Sequence, residues 1–310
     1  MAQLWYADQS IAQQRVFADL YDKTIDAVVT RMNKTPLQGM QWVRKVKATN
    51  LTYKESDVGT SLNLPPINAD TDELPWATVA PGRSKEFTTK NYRLGVRVER
   101  TLDEIDQHGK IQSMIGGLQH SYERKVELLI ADLFNSTTLT GADGDTLFND
   151  THDHEDISYG GTWDNLETAA ALTTASFNSM RVNMRKRKEE KGFVSPIKLD
   201  TLIVPPDLEQ TALQIQNSEL VAENALNAKN VWQNKFNVQV YDHLTSTTAF
   251  FGWSNPARSE DNGFMLIDRV APNVMPWNQD NVDIIFARRL RFSLAVGATH
   301  ARRVHKNAGA

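Results

Sequence analysis

The 310-residue chain contains no cysteine, so disulfides and thiolate metal sites are excluded. A cysteine-free protein suits a reducing compartment, and the start MAQLWYADQS lacks the basic opening and long apolar run of a signal peptide. Nowhere do about 18 apolar residues run together, so no helix is expected to span a bilayer. A basic excess is missing too. The formal charge is −4, which argues against a surface built mainly to grip nucleic acid. Catalytic signatures are equally scarce. There is no GxxxxGK[ST] or strand-linked GxGxxG to cradle phosphate, and no serine lies in GxSxG.

What is present is a globular composition, 40% hydrophobic and 23% charged, long enough for one large or two smaller cores. The stretch 201–215, TLIVPPDLEQTALQI, is the most informative. Leu202, Ile203 and Val204 form a short apolar run suited to a strand buried on both faces. Pro205 and Pro206 stop it, since neither can donate to a ladder. Asp207 with Gln210 has capping-box spacing, and Leu208, Ala212 and Ile215 continue at helical spacing.

Elsewhere, 11–32 places Phe17, Leu20, Tyr21, Ile25, Val28, Val29 and Met32 on one helical face. Two β-stretches, 43–53 and 87–99, flank a polar, proline-bearing middle with little apolar content. A connection that long is usually functional or mobile, read either as a disordered loop or as an extended hairpin that needs a partner surface. In the second stretch Tyr92, Leu94, Val96 and Val98 alternate with Arg93, Gly95, Arg97 and Glu99, the period of a strand with one buried face. From Lys110 to Asn135 the residues Ile111, Ile115, Leu118, Tyr122, Val126, Leu129 and Leu133 predict an unusually long helix. A turn follows at 141–145. A second helix is predicted over 175–191, with Phe177, Met180 and Met184 inward, Arg181, Arg185, Arg187 and Lys188 outward, and Gly192 as C-cap. Strands are expected at 237–241 and 247–253, and two more within 282–304. The order is that of an α+β protein.

His152 and His154, with Asp150, Asp153, Glu155 and Asp156, form the densest group of metal-capable side chains. Imidazole and carboxylate together suit zinc or manganese. Neighbouring loop residues seldom complete a site without a ligand from elsewhere, so a solvated acidic loop is the favoured reading. A metal-dependent enzyme centred on His152 and His154 is the weaker rival. Arg288, Arg289, Arg291, Arg302, Arg303, His305 and Lys306 could touch phosphates. Interleaved arginine is also how half-exposed strands stay soluble, and that reading is preferred. No catalytic, cofactor-binding or metal residue is assigned.

Five segments in fixed order carry a family resemblance: 92–100 (YRLGVRVER), 121–127 (SYERKVE), 144–148 with Thr151 and His152 (GDTLF…TH), 202–215, and 224–227 (NALN). Together the chain resembles the major capsid (major head) proteins of tailed bacteriophages with the Hong Kong 97 fold, and is most similar to Mu-like major head subunits. The resemblance implies an N-terminal arm at 1–40 and an extended loop hairpin at 41–99. It implies a peripheral domain with a spine helix at 100–197 and 277–310, and an axial domain at 198–276. It implies a non-enzymatic subunit, without cofactor, that assembles as hexamers and pentamers into an icosahedral shell around packaged double-stranded DNA. Assembly in the host bacterial cytoplasm, location in the virion, and portal, scaffolding and decoration proteins as partners follow from the same likeness, with no membrane role. Positions on the arm, loop and adjoining strand become the expected assembly contacts: Phe17, Tyr21, Ile25, Tyr53, Lys54, Trp76, Arg83, Lys85, Phe87 and Arg97. An encapsulin-like cellular nanocompartment shell of the same fold is the nearest alternative.

Overall fold

In a computed structural model of the chain, the described residues are 37–58, 76, 81–99, 110–153, 162–188, 194–195, 197–219, 229–256, 262–276 and 284–310. The helix predicted at 11–32, with Phe17, Tyr21 and Ile25, lies outside them, as do 224–227 and His154.

The longest helix, α1, runs Lys110–Asn135, as its periodicity predicts. At 1.5 Å per residue its 26 residues span about 39 Å. Leu118, Val126, Ile130, Leu133 and Phe134 form its buried stripe. This stripe lies on a four-stranded sheet of order β1-β11-β12-β4. The strands are β1 (Arg44–Lys47), β4 (Lys90–Glu99), β11 (Phe264–Pro276) and β12 (Ile284–Ala298). Tyr92 of β4 stacks on Phe292 of β12 at 5.1 Å, and Tyr122 of α1 meets the same ring edge-on at 5.0 Å.

A second sheet of order β7-β13-β10-β8-β9 sits at the C-terminal end of α1. It contains β7 (Leu166–Glu167), β8 (Thr201–Val204), β9 (Asn237–Val240), β10 (Phe250–Trp253) and β13 (Val304–Asn307). Strand β8 is buried on both faces, as its unbroken apolar run requires. Ile203 joins Phe134, Phe251 and Trp253 on the α1 side. Leu202 and Val204 face helices α2 (Thr174–Lys186) and α3 (Glu209–Asn217), with Phe177, Met180, Met184, Ala212 and Ile215. Gly252 is needed here, because a Cβ would lie 2.7 Å from both Leu199 and Met180.

Several expectations change. The stretch 43–53 is not one strand: it breaks after Lys47, and β2 (Thr52–Val58) pairs elsewhere, with β3 (Pro81–Thr88). Asp207 and Gln210 form no capping box, because the double proline opens a 3-10 turn, Pro206–Leu208, and α3 starts only at Glu209. The capping box in this protein is at Thr173 and Ser176, heading α2. Helix α2 ends at Lys186, so Arg187 is not an outward helical residue but a buried one, 4% exposed. Leu94 shares the core-facing row of β4 yet is 45% exposed, since an edge strand has a neighbour on one side only. The sequence reading placed no strand at 264–276, where β11, thirteen residues long, pairs with both β1 and β12.

The entry of the chain into this framework is set by one buried carboxylate. Glu127 of α1 is 5% exposed and accepts the Gly39 N–H at 3.2 Å and the Tyr241 hydroxyl at 3.0 Å. Burial and the Glu127 charge push the Tyr241 hydroxyl pKa far upward. Gly39 lies in the 3-10 turn Gln38–Trp42, where a Cβ would come within 2.6 Å of Ile130. Trp42 then packs edge-on against Phe134 (5.5 Å) and Tyr241 (4.7 Å).

Glu127→Leu keeps the volume but strands the Gly39 N–H, at an expected cost of about 1–3 kcal/mol. Tyr241→Phe should cost about 1 kcal/mol. In urea unfolding the double variant should be less destabilised than the sum of the two, because both changes remove the same bond.

Candidate assembly surface

Strands β2 and β3 form a two-stranded hairpin apart from either main sheet, with Tyr53 opposite Phe87, Lys54 opposite Glu86 and Glu55 opposite Lys85. Only its root is docked. Phe87, 6% exposed, packs with Met265 and Ile267, and with the half-buried Val46, Tyr53 and Ala295. Gly297 makes room for it: a Cβ there would sit 2.4 Å from the Phe87 ring. Lys85 Nζ donates to the carbonyls of Thr140 and of Ala298 (3.1 Å), tying the hairpin to the turn after α1 and the end of β12. Burial lowers the Lys85 pKa. Arg44 of β1 donates to Glu55 at 2.6 Å, and the Tyr53 hydroxyl donates to the same carboxylate. Burial pushes the Glu55 carboxyl up, but these two bonds and the Arg44 charge hold it below its ordinary value.

The outward row of the described hairpin, Lys54, Ser84 and Glu86, is exposed. A lone two-stranded hairpin is marginal in water, so one that keeps its shape beyond its root needs a further surface. The expected contact residues therefore divide. Tyr53, Lys85 and Phe87 converge on the root, and Arg83 lies just beyond it on β3, close enough to lower the Asp143 carboxyl. Lys54 points outward on the hairpin, Trp76 is 84% exposed, and Arg97 is exposed far along β4. The sequence reading missed Arg44, Glu55 and Gly297. Of these only Gly297, a glycine inside an apolar strand, carries a local signal of close approach.

The histidine loop lies under this root and is not simply solvated. His152 is 2% exposed on β5 (His152–Asp153), which pairs with β6 (Thr162–Trp163). Its Nδ1 lies 2.6 Å from Asp143 Oδ2, and its Nε2 3.1 Å from Asn165 Oδ1. The Asn165 amide is fixed by the Asn149 N–H on its oxygen and the Leu147 carbonyl on its nitrogen. Burial raises the Asp143 carboxyl, but His152, the Asp145 N–H and Arg83 outweigh it and hold the pKa low. Asp143, Asp145 and His152 lie close enough to share a cation. Both imidazole nitrogens are already engaged, however, and Asp150 and Asp153 are exposed. The geometry is that of an internal hydrogen-bonded pair clasping the turn after α1.

Trp163 stacks on His152 at 4.2 Å and faces Arg187 and Arg302 at 5.3 and 5.2 Å. Arg187 is the buried hub. It donates to the carbonyls of Arg302, Val304 (3.4 Å) and Asp164 (2.8 Å), and to His305 Nδ1 at 2.8 Å. Burial lowers its pKa to about 9, which still leaves it charged at neutral pH. His305 is fully buried, and burial together with the Arg187 charge pulls it down to about 3. His305 thus belongs to the core and not to a basic outer rim; Lys306 is half-buried and lies over Phe148 and Phe251 at 5.3 and 5.6 Å.

His305 sets a pH dependence. Unfolded, it takes a proton near pH 6.5; folded, it does so only near 3. Its contribution to stability is therefore complete above pH 6.5 and lost progressively as pH falls towards 3. His305→Asn should lower the melting temperature at pH 7.5 but flatten its decline between pH 6.5 and 4, measured by thermal unfolding against the parent chain.

A family described as phage capsid protein matches residues 83–307. No curated protein matches the chain. Among solved structures, Mycobacterium phage Patience is similar with a TM-score of 0.56 at 10% identity, covering 96% of this chain and 88% of that one. The bacteriophage JBD30 capsid decorated with minor capsid protein trimers gives 0.51 at 16% identity, covering 68% and 92%. The virus-like particle from Pyrococcus furiosus gives 0.51 at 9% identity, covering 92% and 98%. The fold is thus of the Hong Kong 97 type. With most of its length matched by that family, the chain belongs to the phage capsid proteins.

Proposed function

We propose that this capsid protein is the major shell subunit, assembling as hexamers and pentamers into an icosahedral capsid around phage genomic DNA. The family match over 83–307 carries the reading. The hairpin supports it: a two-stranded projection clamped on one face, with a row of exposed polar residues on the other, is suited to lying on a neighbouring copy. The ordered motifs of the sequence favour the Mu-like head subunits within the family. The virion is its place, after assembly in the bacterial cytoplasm.

The proposed division keeps 1–40 as arm, 41–99 as extended loop, 100–197 with 277–310 as peripheral domain, and 198–276 as axial domain. The topology suggests refining it, since β11 runs in the spine-helix sheet and β13 in the other. Tyr53, Lys54, Trp76, Arg83, Lys85, Phe87 and Arg97 remain the proposed assembly positions. Phe87 and Lys85 would act by aiming the hairpin. Portal and scaffolding proteins are proposed partners. A decoration protein is another, by analogy with the decorated JBD30 capsid. The role is structural, with no catalytic step assigned.

Electron microscopy of the recombinant chain, with size-exclusion chromatography, tests the reading. Closed shells, or isolated hexamers and pentamers, are expected. A monomer that stays dispersed even with a scaffolding protein would overturn it. Phe87→Ala should leave the subunit folded but misdirect the hairpin, lowering shell yield at least tenfold. Nuclease-resistant DNA inside native particles separates the phage shell from a cellular compartment, the alternative raised by the Pyrococcus particle's shared fold.

A further inference from the structure

The face of the four-stranded sheet opposite α1 contains a notch. Strand alternation puts Arg93, Gly95 and Arg97 of β4 on that face, opposite Arg291, Arg289 and Ala287 of β12. Gly95 and Ala287 are the small residues of this patch, so they form a floor between arginine walls. The opening measures about 240 Å³, and its lining includes Arg93, Gly95, Arg97, Ala287 and Arg289. Among the described residues, no carboxylate pairs with Arg93, Arg97 or Arg291. Arg291 Nε is buried there without an acceptor. Arg93 nevertheless stands opposite Arg291, because the stack of Tyr92 on Phe292 sets the register from the other face. Like charges so placed destabilise a sheet. A narrow slot with guanidinium walls suits a flat aromatic ring with carboxylates beside it.

The chain carries a segment of that kind. Between Lys54 and Arg83 stand Glu55, Asp57, Asp70, Asp72 and Glu73, with no lysine or arginine. Trp76 follows this acidic run and, at 84% exposure, is the most exposed large apolar side chain among the described residues. Tryptophan and arginine are the residues that most often anchor interfaces. The fold already pairs them: Arg181 lies over Trp232 at 4.2 Å, and Arg187 and Arg302 lie over Trp163.

A subunit cannot fill its own notch. Strands β3 and β4 are separated by Thr89 alone, and the Phe87 ring lies against Gly297, where the β4–β12 register would place it if continued. Strand β3 therefore prolongs β4 away from the notch. Pro81, at its far end, is about 46 Å from Gly95 at about 3.3 Å per residue. Trp76 precedes Pro81 by five residues, a reach of about 18 Å at most. Acidic segment and basic notch thus belong to opposite ends of one ribbon. That is the arrangement of a head-to-tail contact, which closes into rings.

We infer that the notch at Gly95 receives Trp76 of a second copy, with that copy's Asp70, Asp72 and Glu73 against Arg93, Arg97 and Arg291, an inference that rests on the shell-subunit reading above. The absence of cysteine makes the contact directly readable. An A77C/R97C variant keeps Trp76 and the floor of the notch. Treated with a short bismaleimide, it should give a ladder of covalent multimers on denaturing gels, rising to pentamers and hexamers. Peptide mapping should place the crosslink between positions 77 and 97, and either single variant should give nothing above a dimer. A charge swap tests the acids separately. D72R/E73R and R93E/R97E should each lower the yield of pentamers and hexamers about tenfold or more, and the four changes together should restore most of it. W76A should lower the yield by a similar factor, and W76F should keep most of it.

Pentamers and hexamers that form without the ladder would overturn the inference while leaving the shell reading intact. A crosslink internal to one chain, or one joining position 97 to a different segment, would overturn it too. So would a charge swap that fails to restore assembly although thermal unfolding shows the combined variant folded. Failure of the shell reading itself is seen before any crosslinker is added, as a parent chain that forms neither rings nor shells.

Discussion

The structure depends on the seam where the C-terminal half of α1 meets both sheets at once. Ile130, Leu133 and Phe134 are shared between the two halves: Phe134 touches Trp42, Tyr241, Phe251 and Phe264, which come from four different segments. The sheets are therefore not independent bodies hung on a rod. They are two sides of one core, and Glu127 adds a directional bond that fixes where the chain enters it. Loss of packing at Phe134 would be felt at the hairpin and at β8 together.

Rigidity here and its lack elsewhere divide the labour. The Asp143–His152 pair, the Arg187 hub and the Lys85 clasp all sit around the turn that follows α1. They hold the base of the hairpin from below while its outward row, Lys54, Ser84 and Glu86, stays exposed. A shell subunit must meet neighbours in more than one geometry, and a stiff root with an uncommitted blade puts the adjustment in one place.

Elements with a strong period were legible in the sequence. Helix α1 ends where its 3–4 spacing ends, and β8 is doubly buried as its apolar run demands. What escaped has a physical cause in each case. Arg187 reads as helical surface because nothing local announces carbonyls from Asp164, Arg302 and Val304. His152 reads as loop because its partners, Asp143 and Asn165, are brought near only by folding. The sequence could name the strand at 92–98 but not that Arg93 faces Arg291, since register belongs to the pair. The hairpin's polar character was legible, yet its clamp, Gly297 with Arg44 and Glu55, is long-range.

The order of strands in the four-stranded sheet has a consequence for synthesis. Strand β1 pairs only with β11, and β4 only with β12. Arg44 and its neighbour Met265 are separated by 221 positions. Neither early strand can find its partner until nearly all of the chain has left the ribosome. Such non-local pairing folds slowly and leaves edges open meanwhile. The nascent subunit therefore carries both unpaired strands and the hairpin through translation, while other copies are being made nearby. Closure of this sheet, like the docking of β13 into the other, therefore waits for a nearly complete chain.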